Sequence, residues 1–304
     1  MDKKRSDVKK KLKSISPFAI VSGVLLFIQV LSILAVLFWG LYTSIKPYNE
    51  FVVEANVIFF PKNPTFDNFI YAYKSFIVYV YRQGHSAEVI HIWEMLFNSV
   101  FISLGGTLVA TFCACMMAYV TAHFNLKLGK VIMFINLMVI TLPVIGSLPS
   151  TIKVLNTLGI YRNMLAYVFI LRFSYCGTAY LIFVAAFSAI PKDLSDAAMI
   201  DGAGNPAIFL RLMLPLVKNT FFTIVLIDTV ANWNDYQTAR IFLEYNPTLA
   251  YGLWYMLNAK PTAYGQRLTV RIAASFMVMA PIMLVYSMFC NKFLGDISLG
   301  AVKG

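Results

Sequence analysis

Residues 190–215 read IPKDLSDAAMIDGAGNPAIFLRLMLP, a polar and acidic segment set between two apolar runs. Its punctuation is that of two short helices joined by a tight turn. Pro191 suits the first turn of a helix, because the N–H it lacks is one that a helix start leaves unbonded anyway. Asp193 and Asp196 sit where the positive end of the helix dipole favours carboxylates. Ala197 and Ala198 keep this helix thin, and Gly202 and Gly204 permit a sharp reversal. Asn205-Pro206 has the form of an N-cap followed by a first helical residue. Leu214-Pro215 marks where the second helix meets the next apolar run. The expectation is a helix, a glycine turn and a helix, lying along a membrane surface.

What flanks this elbow is built for lipid. Of the 304 residues 59% are hydrophobic and 13% charged, with a mean hydropathy of +0.71, against about 45–50% and about 25% in soluble domains. So little polar cover excludes a soluble fold, and the apolar content excludes disorder. A bilayer core takes about 20 apolar helical residues. Phe18–Trp39 is uncharged over 22 residues; it is too long for the apolar core of a secretory leader and is read as an anchor that stays. Met95–Val120 and Val131–Leu148 follow, the latter bent or ended by Pro143 and Pro149. Met164–Ile190 is interrupted only by Arg172, and Ile272–Cys290 holds Pro281. Thr220–Ile241 is weaker, since it carries Asp228, Asn232, Asn234, Asp235 and Arg240. The predicted fold is an all-α integral membrane protein with six transmembrane helices, near 18–40, 95–121, 131–149, 164–190, 220–241 and 272–290.

The formal net charge of +11 follows membrane topology rather than nucleic acid. With six crossings and the N-terminus in the cytoplasm, segments 1–17, 121–130, 191–219 and 291–304 lie inside. They hold 14 of the 25 Lys and Arg residues in 70 positions, seven of them before residue 14. Basic residues favour cytoplasmic loops, so both termini are placed inside, with 1–17 as a basic cytoplasmic N-terminus and 18–304 as the transmembrane domain. The outer loop from Tyr42 to Glu94, rich in aromatics, is expected to form a cap of short helices. Cys113, Cys115, Cys176 and Cys290 lie in apolar runs with no ribbon or redox spacing. His85, His91 and His123 are scattered, so no metal is expected.

The elbow resembles the EAA loop of importer-type ABC permeases, EAA-x3-G-x9-I-x-LP. Asp196, Ala197, Ala198, Gly202, Leu212, Leu214 and Pro215 stand at the family spacing, with Asp for Glu and Leu for Ile. Asn98-Ser99 resembles the family's NS at the start of a span, Ala118-Tyr119 the AY of its carbohydrate subgroup, and Trp233-Asn234-Asp235-Tyr236 its W-N-D-aromatic patch. Gly300–Gly304 resembles the tail of maltose-type permeases. The resemblance covers most of residues 15–304 and is nearest to the second permease of oligosaccharide and polysaccharide-fragment uptake systems.

That resemblance implies a type I ABC importer permease that transports and is not itself an enzyme. Its loop 191–216 would couple to an ATPase through Asp196, Ala197, Ala198, Asp201, Gly202, Ala203, Leu212 and Pro215. Asp196 could pair with a basic group of that partner. The implied partners are two ATPase subunits, a second homologous permease, an extracellular solute-binding protein, a carbohydrate solute and membrane lipid. The implied place is the bacterial cytoplasmic membrane. No cofactor is expected in this chain; ATP and Mg would be bound by the ATPase subunits. Consistent with that, the chain has no G-x4-G-K-[ST] loop, Gly129-Lys130 being followed by Val131. A permease of the same class for another solute is the nearest alternative. A polytopic enzyme would need a catalytic motif such as HExxH or GxSxG, and an ion-coupled carrier would show inverted repeats; neither feature is found.

Polar groups inside a span usually face a partner or a water-filled path. Asp228, Asn232 and Asp235 fall at i, i+4 and i+7, the spacing of one helical face. With Asn234 between them and Trp233 and Tyr236 as flat surfaces for sugar rings, residues 228–236 are expected to line the substrate path or, alternatively, to join two permeases or form an ordinary outer helix end, an alternative at least as strong for Asp235 and Arg240. Arg172 is expected to snorkel outward rather than pair with an acid such as Asp228.

Overall fold

The computed structural model describes residues 17–82, 84, 86–124, 127–142, 146–171, 177–258 and 264–300. The basic N-terminus before Pro17, Pro143, Arg172, Cys176 and the tail from Ala301 lie outside the described residues. The chain divides into two units, residues 1–72 with 263–276, and residues 73–262 with 277–304.

The first unit is organised around α1 (Pro17–Ser44), whose 28 residues span roughly 42 Å at 1.5 Å each. Nearly all of its apolar side chains from Phe18 to Phe38 are exposed. A helix apolar on every face needs an apolar solvent, which a bilayer supplies. Where α1 ends, the chain turns into a loop that is rigid for a definite reason. Lys46 is fully buried, and its Nζ donates to the carbonyls of Asn56 at 2.6 Å and Phe59 at 2.8 Å. Glu50 is buried too, and its carboxylate accepts from the Asn56 amide and from the backbone N–H groups of Lys62 and Asn63. Burial draws the Lys46 ammonium below its ordinary pKa, with Glu50 offsetting part of that. Burial also raises the Glu50 carboxyl, but the three donors and the charge of Lys46 outweigh it and hold the group below the usual carboxylate range. Short helices α2 (Tyr48–Val52) and α3 (Asp67–Ser75) complete this loop. Asn68 at the start of α3 donates to the carbonyls of Ser44 and Lys46.

The second unit opens with an antiparallel hairpin, β1 (Ile77–Val80) and β2 (Glu88–His91), in the register Ile77↔His91 to Val80↔Glu88. The outer loop, expected as a cap of short helices, is corrected here: Ile77-Val-Tyr-Val-Tyr81 is rich in β-branched and aromatic residues, which suits a pleated strand better than a helix. Next comes α4 (Ile92–His123), 32 residues with a π turn at Phe101–Gly105, and so roughly 48 Å long. Its start is locked by Asn98, whose Nδ2 donates to the Pro247 carbonyl at 3.1 Å, and by Ser99, whose Oγ accepts from the Leu249 N–H at 2.7 Å.

The expected helix over 131–149 is divided. α5 (Lys127–Thr141) is followed by α6 (Ser147–Thr157), and Pro149 stands in the first turn of α6 rather than ending a span. There the absent N–H costs no helical bond. Residues Met164–Leu171 form a helical segment closed by a π turn, and α7 (Thr178–Ser188) is the next described helix. After the elbow comes α8 (Lys218–Trp233). α9 (Tyr236–Phe242) and α10 (Leu249–Asn258) follow, then α11 (Leu268–Gly300), which contains Pro281. By length and composition α1, α4 and residues Leu268–Phe289 of α11 suffice to cross a membrane singly, and the bent pair at Asn205–Trp233 makes a fourth candidate.

Candidate functional site

The elbow forms as helix, turn and helix. Its first helix is Asp193–Ile200, with Asp193 and Asp196 in the first turn. Pro191 lies two residues before it, and Ser195, fully buried, returns its Oγ to the Lys192 carbonyl at 2.7 Å. Gly202 has φ +84°, the left-handed conformation that L side chains resist. The Gly202 N–H reaches the Met199 carbonyl and the Ala203 N–H reaches that of Ala198, which closes the helix end in the manner of a glycine C-cap. The second helix runs Asn205–Leu216, capped by Gly204 with Asn205 as its first residue, one position earlier than the sequence suggested.

Both halves are fastened to one apolar core. Ala198, Ala203, Leu212 and Leu214 pack against a cluster built from Cys115, Ala118 and Tyr119 of α4, Tyr180, Phe183 and Phe187 of α7, and Ile208, Phe209 and Met213 of the elbow. Tyr119 is the hub, with ring centroids 5.1 Å from Phe209 and 5.6 Å from Phe187. Close-packed interiors transmit displacement rather than absorbing it. A push on the elbow would therefore reach α4 and α7 together. The second helix then meets α8 at a 74° bend. A π turn at Phe209–Met213 and the missing N–H of Pro215 interrupt the ladder just before it.

The opposite face stands free. Asp193, Asp196, Ala197 and Ile200 follow i, i+3, i+4, i+7 spacing and are all exposed, Ile200 at 87%. Asp201 extends this face. The two alanines thus part: Ala197 looks outward while Ala198 is welded to the core. Sequence reading missed Leu194, Met199 and Ile200 as exposed apolar residues, and missed Phe209 and Met213 as the seat of the elbow. The signal for Ile200 was present, a large aliphatic directly before Asp201 and two positions before Gly202.

Residues 228–236 do not form one face. α8 ends at Trp233, and Asp235 is the N-cap of α9, accepting from the Thr238 N–H at 3.0 Å. An Asx cap outcompetes helix continuation there. Asn232 donates to Thr107 Oγ1 at 2.8 Å, and Trp233 is buried with its Nε1 bonded to the Val278 carbonyl at 3.1 Å. Asp228 is half-buried, Asn234 is exposed, and Tyr236 stacks on Trp254.

The family model described as "binding-protein-dependent transport system inner membrane component" matches residues 106–293, more than half of the chain and all of the elbow. The chain belongs to that family. It is 26% identical over 284 residues to the arabinooligosaccharides transport system permease protein AraQ of Bacillus subtilis, covering 92% of this chain and 94% of that one. It is 28% identical to the melibiose/raffinose/stachyose import permease protein MelC of the same organism, over 87% of this chain and 89% of that one. Its fold matches a chain in the crystal structure of a bacterial ABC transporter involved in the import of the acidic polysaccharide alginate. That match has a TM-score of 0.71 and 22% identity, and covers 91% of this chain and 96% of that one. The chain is therefore a transport permease of the ABC class, a membrane component and not an enzyme.

Proposed function

We propose that this permease forms half of the translocation path of an ATP-driven carbohydrate importer, with oligosaccharides or polysaccharide fragments as solute. It would sit in the bacterial cytoplasmic membrane with six crossings and both termini inside. A second homologous permease completes the path. Two ATPase subunits, which hold ATP and Mg, drive it, and an extracellular solute-binding protein delivers solute. The names of the relatives support the solute class. The observation that carries the coupling role is the two-faced elbow, exposed and acidic outside and packed inside on α4 and α7.

In this reading the Asp193–Asp201 face enters a cleft of the ATPase. There Ile200 supplies apolar contact, and Asp196 meets a basic side chain. Gly202 fixes the approach angle. Leu212 and Pro215 carry the motion to the bend before α8. Of the 228–236 set, Asn232 and Trp233 hold helices together, and Asp228, Asn234, Asp235 and Tyr236 border the path beside them. Purification of the chain from its native membrane, with identification of the bound subunits, tests the assignment. An ATPase and a second permease are expected. Purification with neither, or turnover of a substrate by the chain alone, would overturn it.

A further inference from the structure

The elbow lies at one end of α4. At the other end, beside the hairpin, the second unit holds a concavity of about 420 Å³ that the coupling role does not use. Small-ligand pockets measure about 300–1,000 Å³ and combine apolar surface with a few convergent polar groups. Trp93 and Phe97 supply rings that are 66% and 65% exposed. Trp93 is held in one orientation, its Nε1 donating to the Tyr73 hydroxyl at 3.2 Å. Arg82 and Glu88 face each other across the hairpin at 3.4 Å, both about half exposed. Glu94, Tyr245 and Asn246 complete the wall.

The floor is fixed. Asn98 and Ser99 tie α4 to the start of α10, and a Cβ on Gly252 would collide with Met95 and Phe76. Tyr245 is set by Arg162, whose Nη1 donates to its hydroxyl at 2.9 Å and whose Nη2 pairs with Glu244 at 2.6 Å. An aromatic platform that only anchors a helix in the interface needs no such hollow of charged side chains beside it. A flat ring next to carboxylate, guanidinium and amide groups matches a sugar, which offers an apolar C–H face and a rim of hydroxyls that both donate and accept.

We infer that this hollow is a saccharide subsite of the permease itself, at the end of α4 opposite the elbow and so on the side from which solute arrives. The inference rests on the proposed carbohydrate function and adds that this chain contacts the solute. Two carboxylates against one guanidinium favour a neutral oligosaccharide over a uronate, since like charges disfavour binding.

The test is calorimetric titration of the intact, co-purified transporter in lipid nanodiscs with raffinose, arabinotriose and maltotriose as neutral probes and trigalacturonate as the acidic one. At least one neutral trisaccharide is expected to bind saturably, with trigalacturonate weaker. Trp93→Ala should weaken binding roughly tenfold, the scale of losing an aromatic platform, while Trp93→Phe stays near wild type. Unchanged affinity in Trp93→Ala, no saturable binding of any neutral probe, or tighter binding of trigalacturonate would overturn the subsite. Because the ATPase subunits are present in the same sample, such a failure leaves the importer assignment standing. Their absence from the sample would instead sink the importer assignment.

Discussion

Gly202 concentrates the mechanical argument into one residue. Its φ of +84° lies where a Cβ is disfavoured, yet a Cβ built there meets nothing within 4 Å. Substitution is therefore resisted by backbone conformation and not by crowding. A left-handed conformation costs an ordinary L residue about 1–2 kcal/mol, and Asn less. At 1.4 kcal/mol per factor of ten, Gly202→Ala should lower the ratio of correctly angled to misangled elbow about five- to thirtyfold. Core packing of Ala198 and Ala203 opposes that shift, so insertion and yield should persist while coupling falls. Two quantities read it out: ATPase retained after detergent purification, and solute transported per ATP hydrolysed. The expected order is Gly202 best, Asn next, Ala lower and Val lowest. Wild-type coupling in Gly202→Val, or Asn performing no better than Val, would refute the conformational argument.

Ile200→Asp should leave folding unchanged and abolish stable ATPase association. Burying an isoleucine contributes about 1.5–3 kcal/mol, which a carboxylate would forfeit; pull-down against wild type checks it. Ser99→Ala leaves the buried Leu249 N–H without its acceptor and should cost about 1–3 kcal/mol, seen as a lower thermal midpoint. Gly252→Ala overpacks the same junction against Met95 and Phe76, with a loss of about 1–3 kcal/mol in the same assay. The depressed pKa of Glu50 gives the loop over 45–63 stability that is present above the unfolded value of about 4.3 and is lost as pH falls through the lower folded value. Hydrogen exchange there should rise in acid, and Glu50→Gln should raise it at neutral pH while flattening its acid dependence.

Much of the architecture was legible because lipid imposes simple rules. An uncharged run such as Phe18–Trp39 has few alternatives to a spanning helix, and α1 extends it only to Ser44. The elbow was legible because Gly202 and the acids before it mark conformations that few other residues satisfy. What escaped was decided by local competition or by distant partners. Asp235 caps a new helix instead of continuing the old one, a choice settled by the Thr238 N–H. The hairpin at residues 77–91 was hidden by aromatic residues that serve helices and strands alike. Lys46 gave no sign that it would be buried, because its acceptors are carbonyls ten and thirteen residues on. The hollow beside the hairpin draws Trp93 together with Tyr245, 152 positions apart in the chain, a juxtaposition no spacing rule announces.

The most direct measurement is site-specific cross-linking at position 200 in the intact complex. With Ile200→Cys in the full chain, a short thiol cross-linker should join this residue to the ATPase subunit, and the yield should change when ATP is added. An impermeant thiol reagent applied from outside intact cells should leave the residue unlabelled. Labelling from outside, or no bond to any subunit while the complex stays assembled, would contradict the account.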